Sequence, residues 1–402
     1  MLALRHSRRV SLPGAVALVL LVGCDDTVSI VGQRTRDATV TDDTADVVTP
    51  QDGSDAAMPP DATGDGPPIG MDVPPGMDVP PSLDATPDAD AAPPVDVADA
   101  PSAALPRVIV NCGTVCQRPL DAVPDSMGRN VYFTAFTAAR VPAVFRVAVP
   151  AAGAMPNTPT LLIAGMGMEL PLGIAISPDD ATLYIADPGA DRGTDDADLG
   201  AGAVFAIAAA GGTPRVLGLG ASLVHPQSVS VSADGADLLV AGQQLNATTR
   251  DRTSAIFRAP RTGAAATVVT MGLSSPSGVS QATGGAVVTL DLRRTGPRGG
   301  AALTVAPGAP ALITGELLGD LPAGVAHTLD GRQLLLSAAS PLAGPGLLTV
   351  VAADGRPSAP ASLSTGMAAP HGLHRARLVD AWSIADESAG DNGQIFFLTG
   401  PL

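Results

Sequence analysis

The chain has 402 residues, 46% of them hydrophobic, 15% charged and 2% aromatic, with 45 glycines, 38 prolines and a net charge of -16. Glycine and proline make up about a fifth of it, which disfavours a helical protein because both are poor in helix interiors. All 23 basic residues are arginine and 39 acids outnumber them, which argues against nucleic acid as a partner.

Residues 1–23 read as an export signal. Arg5, Arg8 and Arg9 precede the apolar run Ala15 to Val22, which is too short to span a bilayer. Leu21-Val22-Gly23-Cys24 resembles the lipobox of bacterial lipoproteins. The resemblance implies a diacylated Cys24 at the mature N-terminus and anchoring to the lipid bilayer of the cell envelope; a simple signal peptide cleaved nearby is the plainer alternative. Several acyl chains on one residue make such an anchor stable where a single chain does not. Asp25 leaves inner or outer membrane open, and with it a periplasmic or surface location.

Residues 24–106 carry that anchor site and a linker. From Asp25 to Pro106 there are 82 residues without Phe, Trp or Tyr, with 14 prolines, 17 aspartates and two arginines. Such a segment buries too little apolar surface to offset its ordering entropy, so a disordered, extended tether is expected. It holds a charge of 2 - 17 = -15, so residues 107–402 are close to neutral. Cys112 and Cys116 flank Gly113-Thr114-Val115; a glycine-containing turn brings such a pair within disulfide reach, and in an oxidising compartment a disulfide is the simplest reading, against a reduced or redox-active pair.

A repeat governs residues 107–402. The pattern Pro, any residue, usually Gly, aliphatic occurs at Pro171-Leu-Gly-Ile174, Pro226-Gln-Ser-Val229, Pro276-Ser-Gly-Val279, Pro322-Ala-Gly-Val325 and Pro370-His-Gly-Leu373, with a degraded copy at Pro119-Leu-Asp-Ala122. Six units of about 50 residues, each reading as four short strands, predict an all-β, six-bladed β-propeller. Turn residues recur between the first two strands at Pro178-Asp179-Asp180, Ala233-Asp234-Gly235, Thr283-Gly284-Gly285 and Leu329-Asp330-Gly331. The last unit lacks a fourth strand, while Pro106-Arg-Val-Ile-Val110 matches the fourth-strand run Pro214-Arg-Val-Leu217. An N-terminal strand that completes the sixth blade would close the ring and remove an open edge; five blades or an open stack is the alternative.

The phrase from Pro171 to Pro188 resembles the repeat of NHL-type propellers and of gluconolactonase-like, regucalcin-type propellers. One propeller fold hosts many functions, so the resemblance guides fold more than activity. It implies a divalent metal held by an aspartate that Asp187 matches; Leu172 stands where an asparagine is expected. Strand direction places Asp187, Asp291 and Asp386 at equivalent positions in alternate blades, with Gln227 and His371 on the same face and His374 just beyond. Three carboxylates around one mouth would suit a cation such as calcium or a polar ligand. Equally, an aspartate at a strand end caps its own loop through backbone N–H groups. Loop acids Asp191, Asp195, Asp196 and Asp198 and the arginines Arg293, Arg294 and Arg298 are weaker candidates.

Two readings follow. The first is a monomeric, envelope-anchored binding or scaffolding module for a protein, a glycan or a small ligand. The second is a metal-dependent hydrolase or lactonase. They diverge on whether the three aspartates converge.

Overall fold

The computed structural model describes residues 105–190, 201–292, 300–305, 311–314, 321–338, 345–353, 355–363 and 366–400. The signal, the lipidation site Cys24 and the tether lie outside them, as do Asp191 to Asp198 and Arg293 to Arg298.

The described residues are all-β. Strand β1 (Arg107–Asn111) is followed by six antiparallel units. Blade 1 is β2 (Cys116–Pro124), β3 (Asn130–Thr137), β4 (Pro142–Ala148) and β5 (Thr160–Ala164); blade 2 is β6 (Gly173–Ile176), β7 (Thr182–Asp187), β8 (Ala203–Ala208) and β9 (Arg215–Val216). Blade 3 is β10 (Leu223–Val231), β11 (Asp237–Leu245), β12 (Arg252–Pro260) and β13 (Thr267–Leu273); blade 4 is β14 (Pro276–Gln281), β15 (Val287–Asp291), β16 (Ala301–Val305) and β17 (Ala311–Thr314). Blade 5 is β18 (Leu321–His327), β19 (Gln333–Ala338), β20 (Gly346–Val351) and β21 (Ala361–Ser362). Blade 6 takes β22 (Pro370–Arg375), β23 (Ala381–Asp386) and β24 (Gln394–Thr399) from the end of the chain and β1 from the beginning.

Local chemistry makes the first hairpins of blades 2 and 3. In blade 2 the Ser177 hydroxyl donates to Asp179 at 2.5 Å and accepts the Thr182 N–H at 2.9 Å. Blade 3 repeats this with Ser232, Asp234 and Asp237 at 2.6 and 2.9 Å. The side chains thereby satisfy turn groups that no ladder can reach. The residue that reverses the chain takes positive φ, +74° at Gly235 and +88° at Gly331, which glycine adopts without a Cβ clash.

Closure is as the matching runs predict. Strand β1 pairs antiparallel with β24, Arg107 opposite Phe397 and Asn111 opposite Gln394. Ile109 and Val110 are fully buried there among Ala385, Ile395 and Phe397. Burying such side chains contributes roughly 1.5–3 kcal/mol each, and the pairing removes the open edge of β24. Elsewhere the seams are mostly aliphatic and alanine-rich, as the aromatic content requires; the one between blades 2 and 3 sets Val204 and Ala206 against Leu238, Val240 and Phe257. Cys112 and Cys116 form a buried disulfide across the link from β1 to β2.

The innermost strands β2, β6, β10, β14, β18 and β22 contact one another in sequence around the ring. The glycine of the repeat permits their approach. A Cβ on Gly324 would stand 2.4 Å from the Leu373 backbone nitrogen of the next blade. One face of the ring, the mouth, carries the starts of these strands and the ends of the second strands. The opposite face carries the tips of the first hairpins.

Candidate functional site

The three matched aspartates end β7, β15 and β23, and all are fully buried. Each carboxylate turns into its own blade. Asp187 accepts the Glu169 N–H at 2.8 Å, the Leu170 N–H at 3.0 and 3.1 Å and the Gly189 N–H at 2.9 Å. Asp291 accepts the N–H groups of Ser274 and Ser275 at 2.8 and 2.7 Å. Asp386 accepts those of Ala368, Ala369, Ser388 and Ala389 at 2.6 to 3.1 Å. These bonds splice the segment entering each blade to its second strand.

Of the two readings of these aspartates, loop cap or shared carboxylate ring, these hydrogen bonds are those of caps. Among the described residues no group of three or more His, Cys, Asp or Glu side chains stands close enough to hold a metal ion. The physical reason is the orientation of the backbone: loop N–H groups converge on each strand end, and a carboxylate with four lone-pair directions satisfies them there. Burial raises the Asp187 carboxyl pKa above its ordinary value against the pull of those amides. These residues do not fit the divalent ion that gluconolactonase-like propellers would suggest. Gln227 is half-buried on β10 and belongs to none of these networks.

The structure assembles a different polar set, at the mouth between blades 6 and 1. His371, expected on this face, has Nε2 3.7 Å from Glu387 Oε1. Arg118, held at φ +51°, donates through Nη2 and Nε to Glu387 Oε2 at 3.0 and 3.3 Å. Arg118 and His371 are 41% and 43% exposed while Glu387 is 13% exposed, so two donor groups cover one sunken carboxylate. Burial opposes ionisation of Glu387, but His371 and Arg118 outweigh it and lower its pKa to about 2. Desolvation likewise opposes a charge on His371, and Glu387 overcomes it, raising the imidazole pKa.

Deeper in the same seam, His374 Nε2 lies 3.0 Å from Asp121 Oδ2. That oxygen also accepts the Ile174 N–H of blade 2 at 2.9 Å, and Oδ1 accepts the Ala122 N–H at 2.8 Å. One carboxylate thus ties blades 6, 1 and 2. Desolvation works against protonation of His374, yet Asp121 raises its pKa. Beside this pair, the buried Ser383 hydroxyl donates to the Ala122 carbonyl at 2.6 Å.

Sequence reading missed Arg118, Asp121 and Glu387. A signal for Asp121 was present: in Pro119-Leu120-Asp121 it occupies the place where Gly173, Gly278, Gly324 and Gly372 stand in other units. An acid at a close-packed glycine position has to be paired. The partners, 253 and 269 residues away, could not be read without the closed ring.

No protein-family model matches the chain, and no curated protein matches it either. Solved structures do. A gluconolactonase from Xanthomonas campestris is 13% identical with a TM-score of 0.50, covering 74% of this chain and 97% of that one. A Hadza microbial sialidase is 12% identical with a TM-score of 0.52, covering 73% of this chain and 68% of its own. What is shared is the propeller fold. TolB from Acinetobacter baumannii is 13% identical with a TM-score of 0.43 over 61% of this chain, which spans about half, 55%, of that TolB.

Proposed function

We propose that this chain is a lipid-anchored envelope protein, acylated at Cys24, whose monomeric propeller acts as a binding module for another envelope protein, a glycan or a small polar ligand in the periplasm or at the cell surface. The observation that carries the binding reading is the half-exposed pair Arg118 and His371 over the sunken Glu387 at the mouth. Both side chains are part-exposed at the seam of blades 6 and 1 while Glu387 holds them in place, and a few fixed polar groups in a cleft are what orient a bound guest. The likeness to a gluconolactonase raises lactone hydrolysis as the rival. The amides bound to Asp187 and Asp386 speak against it, since these carboxylates would have to release their own loops to take a metal.

The test is a thermal-shift panel of anionic and neutral sugars, uronates and short peptides on the wild type, with Arg118→Ala and His371→Ala alongside. A saturable rise in Tm that both variants lose supports the reading. Lactone turnover that requires an added divalent cation and persists in Arg118→Ala and His371→Ala, with no Tm shift from any member of the panel, overturns it in favour of the hydrolase.

A further inference from the structure

The face opposite the mouth is asymmetric. At the first-hairpin tips, blade 1 exposes Met127 (42%), blade 5 Leu329 (49%) and blade 6 Leu378 (59%). The corresponding tips of blades 2, 3 and 4 carry Asp179-Asp180, Ala233-Asp234 and Thr283-Gly284. The three apolar tips are neighbours, joined by one backbone bond and one backbone-to-carboxylate bond. The Leu378 N–H donates to the Ser126 carbonyl at 2.9 Å, and the Leu329 N–H donates to Asp380 at 3.1 Å. They form an arc across the closure seam.

Arginine follows the same division. Exposed Arg129 and Arg377 adjoin Met127 and Leu378; of the acids in this arc, Asp330 is paired with Arg332 at 2.9 Å and half-buried Asp380 accepts the Leu329 N–H. Asp125 is buried and accepts the N–H groups of Arg129 and Asn130. The tips of blades 2 and 3 carry Asp179, Asp180 and Asp234 and no arginine.

The chain also enters the propeller here. Strand β1 runs from this face toward the mouth. Its first residue, Arg107, donates to the Pro150 carbonyl at 2.7 Å in the β4–β5 turn, and Leu105 just before it is 65% exposed.

From these three observations we propose that the arc formed by blades 5, 6 and 1 docks on an anionic lipid bilayer. Leu and Met tips would enter the acyl boundary while Arg129 and Arg377 meet lipid phosphates. Each tip alone offers little apolar area. The proposal rests on the reading of Cys24 as a lipid anchor in one respect: a tethered propeller sees the membrane at high effective concentration, so weak docking suffices.

The test reconstitutes the full chain into vesicles of 30% phosphatidylglycerol in phosphatidylcholine. An environment-sensitive fluorophore is placed at Leu329→Cys or Leu378→Cys, with Val141→Cys on the mouth side as the control. Quenching by brominated lipid is expected to be at least three-fold stronger at the two arc positions than at Val141→Cys, and to fall at least three-fold in Arg129→Glu/Arg377→Glu. Equal or absent quenching at the two faces, with an acylated Cys24 found by mass spectrometry, overturns the docking and leaves the anchor standing. If Cys24 is unmodified the anchor reading fails. The same labelled protein mixed with preformed vesicles then decides the docking: face-selective quenching supports it and its absence overturns it. Shielding of Leu378→Cys without vesicles would indicate a protein occupant and overturn it as well.

Discussion

Asp121 fills the space that a side chain on Gly372 would need: a Cβ on Gly372 would lie 1.8 Å from Asp121 Oδ1. Gly372 is also at φ +61°. The two positions, equivalent in the repeat and neighbours across the seam, are therefore complementary, one lacking a side chain so that the other can place a carboxylate between blades. Gly372→Ala should abolish folding or expel Asp121. Asp121→Ala leaves the Ile174 N–H and His374 without their acceptor and should cost about 3–5 kcal/mol, as removal of one partner from a buried pair does. Urea unfolding measures it, and a loss within experimental error would show that the seam does not depend on this carboxylate.

Stability should fall on both sides of a pH window, for opposite reasons. His371 and His374 have raised pKa values in the folded protein, so their contribution is complete below about pH 6.5 and is lost as pH rises through the folded values. His327, 5% exposed on β18 with Nδ1 3.0 Å from the Ser280 hydroxyl, is lowered to about 4, first by burial and then by Arg375. The unfolded chain binds its proton first, so stability should drop by about 3 kcal/mol between pH 6.5 and 4. In His327→Gln that acid limb should flatten while the alkaline limb persists. Urea midpoints taken from pH 4 to 9 separate the two.

The caps on the second strands give a third expectation. Asp187→Ala and Asp386→Ala each leave several mostly part-buried N–H groups without their carboxylate and should destabilise by about 2–4 kcal/mol, a few lost charge-assisted bonds. The asparagine variants keep one acceptor oxygen and should recover about half. Chelator should leave the melting temperature of the wild type unchanged. A chelator-induced drop matching that of Asp187→Ala would show that the carboxylate holds a cation.

The disulfide closes a very short loop, so Cys112→Ser/Cys116→Ser should lose about 2 kcal/mol on the loop-closure estimate. Both sulfurs sit in the core cluster shared by β1 and β2, with Ile109 and Phe133. The double variant should therefore expose β1 first. Hydrogen exchange at Val108 and Val110 should rise more than at Ile185 of blade 2, and uniform exchange would count against it.

Much of the fold was legible because its determinants are local. Ser177-Pro178-Asp179 and Ser232-Ala233-Asp234 make their own turns with bonds inside five residues, so the repeat announces each hairpin. The closing strand was readable for a related reason: Arg107 to Val110 carries the same short apolar run as the fourth strands it imitates. The candidate site was less legible. Asp187, Asp291 and Asp386 were found at equivalent strand ends, but spacing does not reveal which way a carboxylate turns.

The amino-acid order by itself determined the repeated units and their turns and pointed to the closing strand and the pairing of Cys112 with Cys116, because each depends on residues close in the chain or on a repeated pattern. Only the closed ring decided that Asp121 meets His374 and that Arg118 and His371 share Glu387. Those contacts join β2 to blade 6, and they exist because burial of β1 against β24 brings the first and last blades together.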